Sequence, residues 1–116
     1  MRIIGLMKIA NWPFESVDWG GVPAVEHAGE AGTSRWRTIE HGDVRIRVVD
    51  YSPGFKADHW CPRGHILLVL EGAIDIELRD GRSIRLRAGS GFMAGDDPSN
   101  PHLVRSESGA RVHIVD

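Results

Sequence analysis

The sequence predicts an all-β fold, one antiparallel barrel or sandwich of short strands preceded by an irregular N-terminal arm. Three observations carry this expectation. Apolar and charged residues alternate along one segment after another, the period-2 pattern of strands with one buried and one wetted face. Turn-forming glycines separate the segments, as at Gly64 and Asp80-Gly81, and no stretch sustains the helical period of about 3.6 residues. Many short strands joined by glycine turns, without helices, fit a sandwich or barrel.

Residues 1–33 form the expected arm, with Pro13, Gly20, Gly21, Pro23, Gly29 and Gly32 scattered among aromatics. Trp12, Phe14 and Trp19 are too apolar for a free tail and are expected to lie across the domain or a neighbouring subunit. The barrel domain is expected over residues 34–116. Val44, Ile46 and Val48 alternate with Arg45 and Arg47; Ile74, Ile76 and Leu78 with Asp75, Glu77 and Arg79; Ile84 and Leu86 with Arg85 and Arg87; and Val112 and Ile114 with Arg111 and His113. In this reading Arg45, Arg47, Arg85 and Arg87 form a solvated outer face. The run Ile66 to Leu70 is apolar on both faces, which together with the aromatic arm predicts a homodimer.

The turn at Asp80-Gly81 can be argued to its register, because paired strands must keep their apolar residues on one face. A two-residue loop pairs Ile76 with Arg85 and mixes the faces. A three-residue loop, Arg79-Asp80-Gly81, with Gly81 left-handed after a type I turn, pairs Ile76 with Ile84 and Ile74 with Leu86, and sets Asp75 opposite Arg85.

With 116 residues, 41% hydrophobic and 26% charged, the chain has the length and balance of one globular domain. Its formal net charge of -2 implies no general attraction to nucleic acid or anionic lipid. The longest aliphatic run falls far short of the roughly 20 residues that cross a bilayer. Lys8 cuts the apolar start below the roughly 7–15 residues of a signal-peptide core, and Met7 is a second candidate initiator. The single cysteine, Cys61, excludes an internal disulfide and fits a reducing, cytoplasmic compartment.

Chemistry concentrates in Asp58-His59-Trp60-Cys61-Pro62-Arg63-Gly64-His65. Residues two apart on a strand share a face, so His59 and Cys61 are expected to point the same way. Pro62-Arg63-Gly64 reads as a three-residue hairpin loop that sets Cys61 across from His65, with Cβ atoms roughly 4.5–5.5 Å apart. Imidazole and thiolate at such spacing suit a transition metal better than calcium or magnesium, which prefer oxygen.

At these residues the chain resembles the cupin superfamily, whose first motif has the form G-x5-H-x-H-x3-E-x6-G. The sequence offers Gly54, one residue closer, then His59-x-Cys61-x3-His65-x6-Gly72. Cys61 stands at the second histidine position and His65 at the glutamate. The second motif, G-x5-P-x-G-x2-H-x3-N, is degraded: Met93 falls at the proline position, the loop from Gly95 to His102 is longer, and Ser106 replaces the asparagine. Only His102 is carried over, as a ligand from a distant strand. More narrowly, Tyr51-Ser52-Pro53-Gly54, Asp58-His59-Trp60-Cys61, Gly64-His65, Leu70-Glu71-Gly72 and Val115-Asp116 resemble the small single-domain DHCW-motif cupins. The resemblance covers about the last 85 residues and implies a cupin-type antiparallel β-barrel, a double-stranded β-helix or jelly roll.

The expected metal site is therefore His59, Cys61, His65 and His102, holding one divalent transition metal ion such as zinc, iron, nickel, manganese or copper. Whether Cys61 ligates or packs as a small hydrophobe stays open. His27, His41 and His113 are read as structural. Asp58 and Trp60 are expected to face away from the site, and Glu71 lies roughly 20 Å along the strand from His65, too far to join it. Two functions follow. Three imidazoles with open positions imply a metal-dependent enzyme of oxygenase, isomerase or lyase type, acting on a small organic molecule inside the barrel. The alternative is a non-catalytic metal or small-ligand binding module, favoured if Cys61 closes a four-coordinate site.

Overall fold

The computed structural model describes Ile9 and residues 11–116. Met1–Lys8, with the apolar start and Met7, lies outside the described residues. The chain is built of β1 (Ala24–Ala28), β2 (Thr33–His41), β3 (Val44–Tyr51), β4 (Phe55–Lys56), β5 (His65–Leu78), β6 (Ser83–Arg87), β7 (Gly91–Ala94), β8 (His102–Ser106) and β9 (Ala110–Val115), after a short 3-10 turn at Trp19–Gly21. No described helix is long and apolar enough to cross a membrane.

All pairings are antiparallel. One sheet runs β1-β2-β3-β9-β5, with β7 on the far side of β5. The other joins β6, β5, β8 and β4. Strand β5 belongs to both, pairing through its first half with β7 and β9 and through its second with β6 and β8. The corner falls at a break in register between Val69 and Glu71, followed by Gly72 at φ +73°. The result is a curled, open half-barrel, because β6 and β7 each pair with β5 alone.

Gly72 is needed at the corner for two reasons. Its backbone is left-handed, and a Cβ there would collide with the carbonyl oxygen of Gly109. Gly72→Ala is expected to cost about 1–3 kcal/mol, read as a fall of several degrees in Tm; an unchanged Tm would contradict the strain assigned to this corner.

Between the sheets lie Val49, Leu67, Val69, Ile74, Ile76, Val112 and Ile114, all buried and in mutual contact. Each such side chain is stabilised by about 1.5–3 kcal/mol relative to exposure. The β5–β6 hairpin has the expected register, with Ile74 opposite Leu86, Asp75 opposite Arg85 and Ile76 opposite Ile84. Gly81 takes φ +99° and donates to the Leu78 carbonyl at 3.0 Å.

The alternation in β3 has the opposite sense from the one expected. Val49, opposite Val112 and nearly inaccessible, is in phase with Arg45, Arg47 and Tyr51, so these side chains point inward. Arg47, expected on a solvated face, is buried. Val48 is buried on the other face, beside His113, whose ring meets that of Trp19 at 6.1 Å. The arm thus covers part of the outer face and makes its valine side dry. Arg85, in contrast, lies exposed and forks onto Asp75 at 2.8 and 3.0 Å. Within the arm, Trp12 stacks on His41 at 4.7 Å. Phe14 departs from the expectation: it is 98% exposed. Strand β1, inside the segment read as irregular, is the sheet's edge; its short mixed sequence, Ala-Val-Glu-His-Ala, carries no sustained alternation.

Candidate metal centre

Three side chains from three chain segments converge inside the half-barrel. His65 opens β5 and His102 opens β8, both at strand starts on the inner side. Cys61 lies against His102: Cys61 N–H donates to the His102 carbonyl at 2.7 Å and His102 N–H to that of Cys61 at 3.0 Å. A pair bonded in both directions puts its side chains on the same face. Sγ of Cys61 lies 3.6 Å from Nε2 of His65, and the His65 and His102 rings meet edge to face at 5.0 Å.

The ligand atoms of Cys61, His65 and His102 all lie within 4.8 Å of one another. Ligands on opposite sides of one ion at about 2.0–2.3 Å stand up to about 4.6 Å apart, so shifts of a few tenths of an ångström close this set around a single metal. The sulfur and nitrogen donors fit a divalent transition metal. The three residues form a cluster capable of coordinating one such ion.

Cys61 and His65 come together by a route other than the expected hairpin. His65 pairs with Ala94 of β7, not with Cys61, which bridges to His102. Pro62-Arg63-Gly64 therefore steps from one sheet to the other. The step is held by the long connection before β8: Gly64 N–H donates to Asp96 at 2.6 Å and Asp97 N–H to the Pro62 carbonyl at 2.9 Å. A Cβ on Gly64 would collide with the Ala94 carbonyl, so the close approach requires glycine.

His59 is not among the converging donors. The edge segment follows β8 through Ala57, bonded to Val104, and rejoins it at Cys61, opposite His102. Asp58-His59-Trp60 bulge out between these points, which breaks the period-2 rule that put His59 and Cys61 on one face. The His59 ring is 72% exposed, with Nδ1 2.6 Å from the Asp58 carboxylate. It stands in the wall of the same cavity as the cluster. Trp60 faces the Arg79 guanidinium at 4.7 Å. At the second-motif position read as a degraded asparagine, Ser106 is buried and donates to the Ala73 carbonyl at 2.7 Å.

Behind His65 lies a charged network. Asp116 Oδ2 is 2.8 Å from His65 Nδ1, in contact though off the line of a straight hydrogen bond. The same carboxylate receives a fork from Arg45 at 2.9 Å on each oxygen and Nη2 of Arg47 at 3.0 Å. The Arg47 guanidinium lies 4.5 Å over the Trp36 ring. A carboxylate on one imidazole nitrogen favours the proton there and frees Nε2, the atom facing Cys61, for a metal. Local alternation in β3 points these arginines to solvent, which hides the network from the sequence. The available signal was parity: Asp116 shares phase with Val112 and Ile114, both core residues.

Burial would raise the Asp116 carboxyl, but its hydrogen bonds with Arg45 and the charges of Arg47 and Arg45 outweigh this and hold it at about 2. Burial lowers His65, and burial with the nearby His65 lowers His102 to about 4. Both imidazoles are thus neutral at neutral pH, the form that binds metal. For metal-free protein the sign follows: the unfolded chain takes up the His102 proton near pH 6.5 and the folded one only near 4. Stability is whole above about pH 6.5 and declines toward pH 4. Melting curves across that range are expected to show this decline, shallower in His102→Gln; identical slopes would exclude the contribution.

Two adjoining cavities, of about 560 and 620 Å³, share Cys61, Arg63, Ile76, Phe92 and His102 in their walls. The larger also contains His65, Trp36, Arg45 and Arg47.

No protein-family model matches the chain, and neither does any curated protein sequence. Solved structures do. A predicted oxalate decarboxylase from Thermotoga maritima aligns with a TM-score of 0.73 at 12% identity, over 87% of this chain and 96% of that one. A sugar phosphate isomerase from a cupin superfamily, from Silicibacter pomeroyi, aligns at 0.69 with 14% identity, over 87% and 74%. The Cnp3 cupin domain of Schizosaccharomyces pombe aligns at 0.66 with 11% identity, over 86% and 71%. The order of the strands, the two-sheet curl and these alignments together assign the chain a cupin-type fold.

Proposed function

We propose that the chain is a metal-dependent enzyme of oxygenase, isomerase or lyase type, acting on a small organic molecule within the half-barrel. The observation that carries this reading is the ligand count: Cys61, His65 and His102 converge while His59 stands outside them, beside a cavity of about 620 Å³. Three protein donors leave positions free for water or substrate, whereas structural zinc sites are usually closed by four. Cys61 then completes an open set, in place of closing one made by three histidines. A metal bound there supplies Lewis-acid or redox chemistry according to its identity. The chain's own residues shape the site: Asp116 lies against the His65 ring at Nδ1, and the apolar walls at Leu67, Ile76 and Phe92 limit water. The narrower likeness to the DHCW-motif cupins, and a cytoplasmic location, belong to the same reading.

Metal analysis of tag-free protein is expected to return one transition metal ion per chain, and a substrate screen that monitors dioxygen uptake and product formation tests for turnover. Metal present at one per chain without turnover across carboxylate, carbonyl, phenol and sugar substrates would favour the non-catalytic binding module. Absence of any transition metal after growth in supplemented medium would overturn the enzyme and the metal-binding module, and leave only a module for small ligands.

A second copy of the chain is the proposed partner. Ile66, Leu68 and Leu70 on β5 and Met93 on β7 share one outer face and are exposed together. A dimer in sedimentation that becomes a single-chain species in Leu68→Glu is the expected result; a monomeric wild type would remove the proposal.

A further inference from the structure

Arg47 is a charged residue in a core-facing position, and its bonding is incomplete. Its side chain is 6% exposed and Nη2 reaches Asp116, but Nε is buried without a hydrogen-bond partner. A buried donor left unpaired costs on the order of 1–3 kcal/mol, and more when charged. Arg45 beside it is half-buried and forks onto the same carboxylate. Two guanidinium groups facing one carboxylate leave one net positive charge at this buried side of the cavity, and Arg63, exposed, is a third cation in the same wall. Trp36 and Tyr51 flank them, and Leu67, Ile76, Phe92 and Val104 make the wall largely apolar. His65 and Arg47 touch the same Asp116 oxygen, so the guanidinium lies within two contact lengths of the imidazole. The acidic groups of this wall, Glu26 and Asp58, are exposed, and Asp58 is engaged by His59.

We propose that Arg47 and Arg45 form an anion subsite, and that the small molecule brought to the metal cluster is an organic carboxylate with an apolar body. Guanidinium donors match carboxylate geometry, and a buried setting with an aromatic face beneath the cation strengthens the pairing. The apolar body lies against Ile76 and Phe92, which also border the metal cluster. The fate of the ligand rests on the metal-dependent reading; its binding does not.

Calorimetric titration with benzoate and with its neutral counterpart benzamide tests this, on the full chain both stripped of metal and loaded with zinc. Metal-free wild type is expected to prefer benzoate at least tenfold. Arg47→Gln is expected to abolish that preference while leaving benzamide binding unchanged, which a collapsed cavity would not do. Arg45→Gln, at a more exposed position, is expected to reduce the preference several-fold and decides the matter if Arg47→Gln does not fold. Benzoate binding that requires zinc and ignores both substitutions would overturn the subsite and leave the metal centre standing. Benzoate held through Arg47 by a chain that takes up no zinc would support the subsite and remove the metal centre.

Discussion

Asp116→Asn is expected to lower the stability of the metal-free protein by about 3–5 kcal/mol, because it leaves the buried Arg47 guanidinium without its counter-charge. In a domain of this size that corresponds to a fall in Tm of at least about 10 °C. The same substitution removes the carboxylate beside His65 Nδ1, so retention of zinc by the loaded protein is expected to weaken by about 10–100-fold. Two measurements separate these effects. Adding Arg47→Met to Asp116→Asn is expected to recover part of the stability, since the orphaned charge is gone, but none of the metal affinity. If the single variant melts like wild type, the inward-facing pair contributes nothing and the network is not what holds the end of β9 against β3.

His102→Ala and His65→Ala are each expected to reduce zinc affinity by at least about 100-fold, because each removes one of three donors and leaves two, too few to hold the ion. Cys61→Ser is expected to do the same, since a hydroxyl is a poor substitute for thiolate on zinc. His59→Ala is the contrasting variant: its ring is exposed and engaged with Asp58, so the affinity is expected to change less than about threefold. A competitive chelator titration reads all four. Loss of zinc in His59→Ala comparable with that in His102→Ala would mean that the Asp58–Trp60 bulge folds inward to bind, and would return His59 to the ligand set.

Much of the β5–β6 hairpin was legible in the sequence, down to Ile76 opposite Ile84, because a single register keeps both strands' apolar residues on one face. The proximity of Cys61 to His65 was also legible, though by the wrong route: a three-residue loop can close a hairpin or step between sheets, and only the partners Ala94 and His102 distinguish the two. Strand β3 was misread because Val48 and Val49 are both apolar. Local alternation cannot choose between two phases when each has an apolar half.

The sequence by itself determined that this is an all-β chain with glycine-marked turns, since residue type and strand period are properties of short segments, and it offered a cysteine and three histidines suited to a transition metal, His102 among them through the family resemblance. Only the tertiary structure decided that Arg45, Arg47 and Asp116 face the interior, that Trp19 covers the opposite face and that His59 is turned to solvent. Those outcomes depend on which distant segment covers which face and on where three residues bulge from an edge. Both are settled by packing between segments that the local pattern does not encode.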